Sequence, residues 1–562
     1  MRSAILGTAF ILAACSMEGA ERETAVTVEA ADSVFSGGPI YTADESREQV
    51  EIVAVRDGLI VYAGAEADIP DGLISEATTA IDLEGAAMYP GFTDSHVHVI
   101  GLGARERLLN LEGTTSIAEL QARVAEAAAD LPAGSVLQGR GWIETHWPEG
   151  RFPTRQDIDA VVPDIAVLLT RADGHALVAN SLALERAGIT ADSVAPEGGD
   201  ILRDEDGEPT GMLIDTAMFP VRQLGGTFEG EDRANVYLEG AWSAARYGWT
   251  GAHDMSVPWA DVAMIEGLSE DLPLRVYISA NPDAFGPLVR DGHVISENRR
   301  VIARAIKLYM DGALGSRGAA LLEPYSDDPG NSGLLLSRGD ETLSGMVTAL
   351  QEGIQLNVHA IGDRGNQLLL DWIEEAQAAV PEDQRAIADP RWRDEHTQIV
   401  DPSDIPRFAQ LGVIPSMQPS HAIGDLFFAP DRLGQDRLDG AYAWRALIDS
   451  GVIIAGGTDA PVERGDPRIE FYGAVARRGL DGTQTADWHP NQAVTRAEAL
   501  RMFTAWPAYA SFREDEVGRI VEGLRADFTV FSADIMTIPE EDILTVEPVM
   551  TVLDGEIVWK AE

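Results

Sequence analysis

The chain has 562 residues, 45% of them hydrophobic, and its 42 basic against 92 acidic side chains give a formal net charge of -50. That length exceeds one simple core and calls for a large catalytic domain with a smaller companion or an insertion. The negative field repels phosphate backbones, which argues against nucleic acid as a partner, while it favours solubility and attracts cations.

The chain opens on a targeting segment. Arg2 supplies a short positive region and residues 5–12 a short apolar one, too short to span a bilayer as a permanent helix. Leu12-Ala13-Ala14-Cys15 follows, a small-residue site ending in the only cysteine of the chain, so no disulfide forms within it. The pattern resembles a bacterial lipoprotein signal, which implies residues 1–15 as signal, lipidation of Cys15 and an acidic, small-residue tether over 16–31. The resemblance places the protein at a bacterial cell envelope, facing the periplasm or the exterior, with the lipid anchor as its sole membrane contact. A frayed apolar start with an incidental cysteine is the alternative.

Residues 32–87 carry short β-rich runs such as Glu51-Ile52-Val53-Ala54-Val55, broken by Asp57-Gly58 and similar turns, and residues 511–562 look alike. The economical reading is one small β-sandwich built from both termini. Between them, over 88–510, short apolar strands alternate with helical stretches, the pattern of parallel βα units. Strands are expected at 88–93, 249–254, 274–278, 305–310, 355–359, 395–400, 413–417 and 452–455. Eight such units predict an α/β fold, a (β/α)8 TIM-like barrel, with chemistry at the C-terminal ends of its strands. The gap of about 155 residues after the first strand implies an inserted subdomain, placed at about 110–245.

Thr93-Asp94-Ser95-His96-Val97-His98 is the most informative stretch. On a strand, residues i and i+2 project from one face, so His96 and His98 aim side by side, as two ligands of a metal do. His359, His396 and Asp459 fall at the ends of later strands, and five candidates at successive strand ends outweigh the scaffolding role a lone histidine usually has. Lys307 sits in an apolar strand, where its charge is costly unless removed or matched. Carbamylation by carbon dioxide makes it a carboxylate able to bridge two metals; an ion pair with Asp311 or another acid is the competing reading.

Six separate motifs now stand in order: Tyr89-Pro90-Gly91-Phe92-Thr93-Asp94-Ser95-His96-Val97-His98, Arg171-Ala172-Asp173-Gly174-His175, Lys307 with Asp311-Gly312-Ala313-Leu314-Gly315-Ser316-Arg317, Asn357-Val358-His359-Ala360-Ile361-Gly362-Asp363, Glu395-His396, and Gly457-Thr458-Asp459-Ala460-Pro461. Together they resemble the metal-dependent amidohydrolase superfamily, in the branch that includes N-substituted formamide deformylases. The resemblance implies two divalent metal ions, expected to be zinc. His96, His98 and Asp459 would hold one, His359 and His396 the other, and carboxylated Lys307 would bridge them. It further implies a metal-activated hydroxide as nucleophile and Asp459 as general base.

Other residues carry weaker expectations. His175 lies in the insertion and is suited to substrate contact or to a structural hydrogen bond. Arg317 could grip a substrate carboxylate bidentately, and His421, after the seventh strand, could touch substrate or oxyanion. His253 and Asp254 read as structural, and no pattern around His146, His293 or His489 favours chemistry. The expected function is hydrolysis of a carbon-nitrogen bond in an amide, formamide or N-acyl compound. An ester, lactone or dipeptide hydrolase with the same centre is the alternative, and an anchored solute-binding lipoprotein the reading from another class. Expected partners are a small-molecule amide, no nucleic acid, the membrane through the anchor alone and, as an option, further copies of the chain.

Overall fold

The computed structural model describes residues 29–562 apart from 145–146, 173, 175, 197–198, 338 and 486–487. Cys15, the rest of the signal, most of the tether, His146 and His175 lie outside the described residues.

Eight parallel strands build the centre of the molecule: β1 Phe92–Val97, β2 Trp249–Val257, β3 Arg275–Ala280, β4 Val301–Tyr309, β5 Gln355–Ala360, β6 Arg393–His396, β7 Ile414–Met417 and β8 Ala455–Gly456. Each pairs with the next in that order. The seam between β8 and β1 is spanned just beyond their ends, where the Asp459 amide donates to the His96 carbonyl at 2.6 Å and the His98 amide to the Ala460 carbonyl at 2.8 Å. The expected TIM-like barrel is thus present and nearly closed. Its strands are buried on both faces, which is why β3 and β4 read as near-continuous apolar runs rather than alternating ones. Helices cover the outside; Asp363–Ala379, for example, buries Leu369, Leu370, Ile373 and Ala376, a helical spacing that forms one apolar stripe.

Of the strand boundaries that differ from expectation, two bear on the site. The run at 88–93 divides at Gly91: Ala87–Pro90 joins a sheet of the chain termini, and the barrel strand starts at Phe92. Gly91 lies so close to Thr250 that a Cβ there would meet the threonine Oγ1 at 2.1 Å, and its amide donates to Asp527. The sixth strand does not run on to Val400. It ends at His396, which with Thr397 adopts positive φ (81° and 44°), a conformation that breaks the extended chain.

Both ends of the chain meet in a six-stranded sheet, in the order Glu556–Lys560, Pro548–Leu553, Phe528–Phe531, Ala87–Pro90, Ile40–Tyr41 and Gln49–Val50. A four-stranded sheet from Ser33–Ser36, Ile52–Arg56, Leu59–Gly64 and Thr79–Asp82 shares its core: Phe35, Val53 and Val55 pack with Met88, Phe528 and Val552. The rings of Phe35 and Phe528 meet edge to face, 5.2 Å between centroids.

Between β1 and β2 the chain leaves the barrel for a second six-stranded sheet, whose strands run from Leu109–Asn110 to Pro209–Asp215. It has its own core around Leu120, Val124, Trp142, Val167 and Leu169. The helices Val99–Glu106 and Gly230–Tyr247, which lead out and back, cross at Gly103 and Gly240. A Cβ on Gly103 would meet the Val236 carbonyl oxygen at 1.7 Å, so only glycine allows this approach.

Candidate metal centre

The C-terminal ends of the barrel strands bring four imidazoles around one carboxylate. His96 is the penultimate residue of β1 and His98 follows the strand; His396 ends β6, and His421 lies on the short helix Pro419–Asp425 that follows β7. Asp459 follows β8, turned inward at φ 58°. Its Oδ1 lies 3.2 Å from His98 Nε2 and 3.6 Å from His96 Nε2, while Oδ2 lies 3.6 Å from His421 Nε2. Two trios have all their donor atoms within 4.8 Å of one another: His96, His98 and Asp459, and His396, His421 and Asp459.

The opposite nitrogens of these rings are held. Nδ1 of His96 lies 2.6 Å from Glu395 Oε2, Nδ1 of His98 lies 3.0 Å from the Met255 carbonyl, and Nδ1 of His396 lies 2.8 Å from Gln418 Oε1. Each partner is an acceptor, so each Nδ1 carries a proton and Nε2 is the nitrogen turned to the centre, as a lone pair in the neutral rings of His96 and His396. The side-chain amide of Gln398 faces His421 Nδ1 at 3.1 Å. Behind His96, the fully buried Arg393 pairs through Nε with Glu395 Oε1 at 2.7 Å and also reaches Ser416 Oγ and His253 Nδ1. His253 thus belongs to the scaffold, as does Asp254, which accepts from Tyr237 and the Val99 amide.

Asp94 fixes the seam. Its Oδ1 accepts from the amides of Thr458 and His96, and its Oδ2 from Thr458 Oγ1 at 2.6 Å, so one carboxylate ties the strand bearing two histidines to the loop bearing Asp459. Burial pushes the Asp94 carboxyl up to about 7.

Lys307 points into the barrel from β4, its Nζ 3.4 Å from His96 Nε2 and 5.3 Å from the centroid of the Tyr309 ring. Among the described residues no carboxylate forms an ion pair with it, and burial brings its ammonium down to about 8. Asp311, the alternative partner, instead accepts three backbone amides, those of Ile361, Gly362 and Ala320. The ring of His359 packs 4.6 Å from that of His396, but its Nε2 faces Asp311 Oδ1 at 3.5 Å. Arg317 lies outside this cluster, its guanidinium filled bidentately by Asp327 at 3.1 and 2.9 Å.

Electrostatics favour cation capture here. Burial keeps His96, His359 and His396 neutral, lowering His359 to about 3. Burial also opposes charge on His98, but Asp459 outweighs it and raises that pKa; Asp459, which burial alone would raise, is held well below the carboxylate range by its hydrogen bond with His98. The Nε2 atoms of His359 and His421 are buried without a hydrogen-bond partner among the described residues. Neutral imidazoles, an ionised carboxylate and orphaned ring nitrogens make a donor set that fits zinc or a related divalent ion.

Comparison with known proteins agrees with this geometry. The family model described as "Amidohydrolase family" matches residues 79–559. A putative amidohydrolase YtcJ of Bacillus subtilis is 33% identical over 94% of this chain and 99% of its own length. The N-substituted formamide deformylase of Arthrobacter pascens is 27% identical over 93% of this chain and 97% of its own. Among solved structures, an uncharacterized metal-dependent hydrolase from Pyrococcus horikoshii OT3 superposes with a TM-score of 0.74 at 26% identity, covering 90% of this chain and 99% of that one.

Proposed function

Because the chain belongs to the amidohydrolase family and is a hydrolase of the metal-dependent kind, we propose that it cleaves a carbon-nitrogen bond in a small amide, a formamide or another N-acyl compound. The observation that carries this reading is the arrangement at Asp459: one ionised carboxylate with an oxygen toward His96 and His98 and the other toward His421. The formamide deformylase relative favours an amide over an ester or lactone, because a formamide deformylase acts on a carbon-nitrogen bond.

His96, His98 and Asp459 would hold one divalent ion, and His396 and His421 would face a second across the same carboxylate, with His359 beside them. Lys307, desolvated and without an acidic partner among the described residues, is suited to carboxylation, which would add a second carboxylate to the centre. Bound there, the ions would lower the pKa of water and polarise a carbonyl. Asp459, held ionised, accepts a proton from the attacking water at a carboxylate oxygen and returns it to the departing nitrogen, whose loss as an anion is otherwise prohibitive. Tyr309, at the mouth and hydrogen-bonded to Ser256, offers a hydroxyl to the developing oxyanion. Lipidation at Cys15 would anchor the enzyme to the cell envelope.

The test is a panel of N-formyl and N-acetyl amines beside matched esters, assayed with the purified enzyme before and after chelation. Chelator-sensitive amide turnover supports the proposal. Turnover of esters alone moves the reading to an esterase, and a metal-free protein without turnover refutes it.

A further inference from the structure

We propose that Arg140 is a receptor for an anionic group on the substrate, so that the preferred substrates are N-acyl compounds carrying a carboxylate, such as N-acyl amino acids. This rests on the amide hydrolysis proposed above and names its substrate class.

Arg140 lies on the insertion strand Val136–Trp142, yet its Nη2 reaches the barrel mouth: it donates to the Ala172 carbonyl at 3.1 Å and to the Val462 carbonyl at 3.5 Å. Val462 closes the turn that begins at Asp459, its amide donating to the Asp459 carbonyl at 2.9 Å. The guanidinium is therefore docked on the loop that carries the central carboxylate. Two more arginines share this rim. Arg105 donates to the carbonyls of Glu463 and Arg464, and Arg222 to that of Gly174.

In a chain of net charge -50, most arginines find carboxylates, and Arg317 is one of them. Among the described residues, none of Arg105, Arg140 and Arg222 forms an ion pair. Glu112 and Glu463 are the acidic groups whose charges Arg140 feels, but Glu112 pairs with Arg464 and Glu463 faces His421 at 4.0 Å. Arg140 is also half-buried, and desolvation lowers its pKa, a sign that its charge is poorly compensated. A guanidinium held by carbonyls alone keeps N–H donors in the planar arrangement that matches a carboxylate. Three such cations beside the Asp459 loop would offset the repulsion that the acidic surface imposes on an anionic substrate.

The experiment compares N-acetylleucine with N-isoamylacetamide, which differ in the carboxylate alone, in the parent, Arg140→Met and Arg140→Lys enzymes. The parent is expected to favour N-acetylleucine in kcat/KM. That preference should fall at least tenfold in Arg140→Met, through KM for the acid, and partly in Arg140→Lys, which keeps the charge without the planar pair of donors. An unchanged ratio, or equal losses on both compounds, would overturn the inference, since a purely structural role lowers both alike. Calorimetric titration with N-acetylleucine separates this inference from the reading beneath it. Absent turnover with binding at least tenfold weaker in Arg140→Met sinks the amidase and keeps the anion receptor; binding indifferent to Arg140 sinks the receptor whatever the turnover. If the methionine variant melts early, the lysine variant carries the comparison.

Discussion

Glu395 accepts a 2.6 Å hydrogen bond from His96, with both side chains buried, and this single contact fixes which nitrogen of His96 faces Asp459. Replacing the carboxylate by an amide of the same shape removes the charge that favours the bond and leaves Arg393 without its buried counter-ion. Glu395→Gln is therefore expected to weaken metal retention by about 10–100-fold, the usual effect of losing such a support. Competition with a chelator, read as metal released per chain, measures it. Retention equal to that of the parent would remove Glu395 from the centre.

Asp459→Asn should cost far more in rate than in fold. The amide cannot take a proton, so kcat is expected to fall by roughly 10²–10⁴-fold through the lost proton transfer, with a further loss from weaker metal binding. Steady-state kinetics together with elemental analysis separate the two contributions.

Lys307→Ala should lower metal content and abolish turnover, with partial recovery in formate or acetate, which can occupy the space of a missing carboxylate. The motive is the isolation of Nζ, which lies 3.4 Å from His96 Nε2 and forms no ion pair among the described residues. Unchanged metal content and rate in this variant would rule the lysine out of the centre.

The same lysine predicts a pH dependence. Carbon dioxide adds to the neutral amine, and burial brings the Lys307 pKa from 10.5 to about 8. At fixed dissolved carbon dioxide, the neutral fraction rises about tenfold per pH unit below 8 and levels off above it. Reactivation of metal-depleted enzyme by carbon dioxide plus metal should follow that curve. A rate still climbing tenfold per unit between pH 8.5 and 9.5 would place the pKa near the ordinary lysine value and contradict the effect of burial.

Much of this architecture was legible because strand periodicity is a strict rule. His96 and His98 share a face since they are two apart, and the apolar runs that mark a parallel barrel are buried on both sides. The same rule misleads at the sixth strand. Glu395 and His396 are adjacent and should point to opposite faces, yet both serve the centre, because the positive φ of His396 swings its ring back. No pattern announces that conformation in a non-glycine residue. His421 and Gln418 were hard to weigh for another reason: they act from a turn and a short helix after β7, where spacing along the sequence no longer determines direction. Arg140 was invisible because its significance lies in having no acidic partner, which only the folded arrangement of the other charges reveals.

The seam between the first and last strands has a temporal meaning as well. His96 leaves the ribosome more than three hundred residues before Asp459, and the hydrogen bond between their backbones, at 2.6 Å, joins the earliest and latest pieces of the centre. A nascent chain carries its imidazoles long before it owns the carboxylate that gathers them. With Asp459 in the role proposed above, the hydrolase would stay inert through most of its synthesis, and completing the ring would also switch it on.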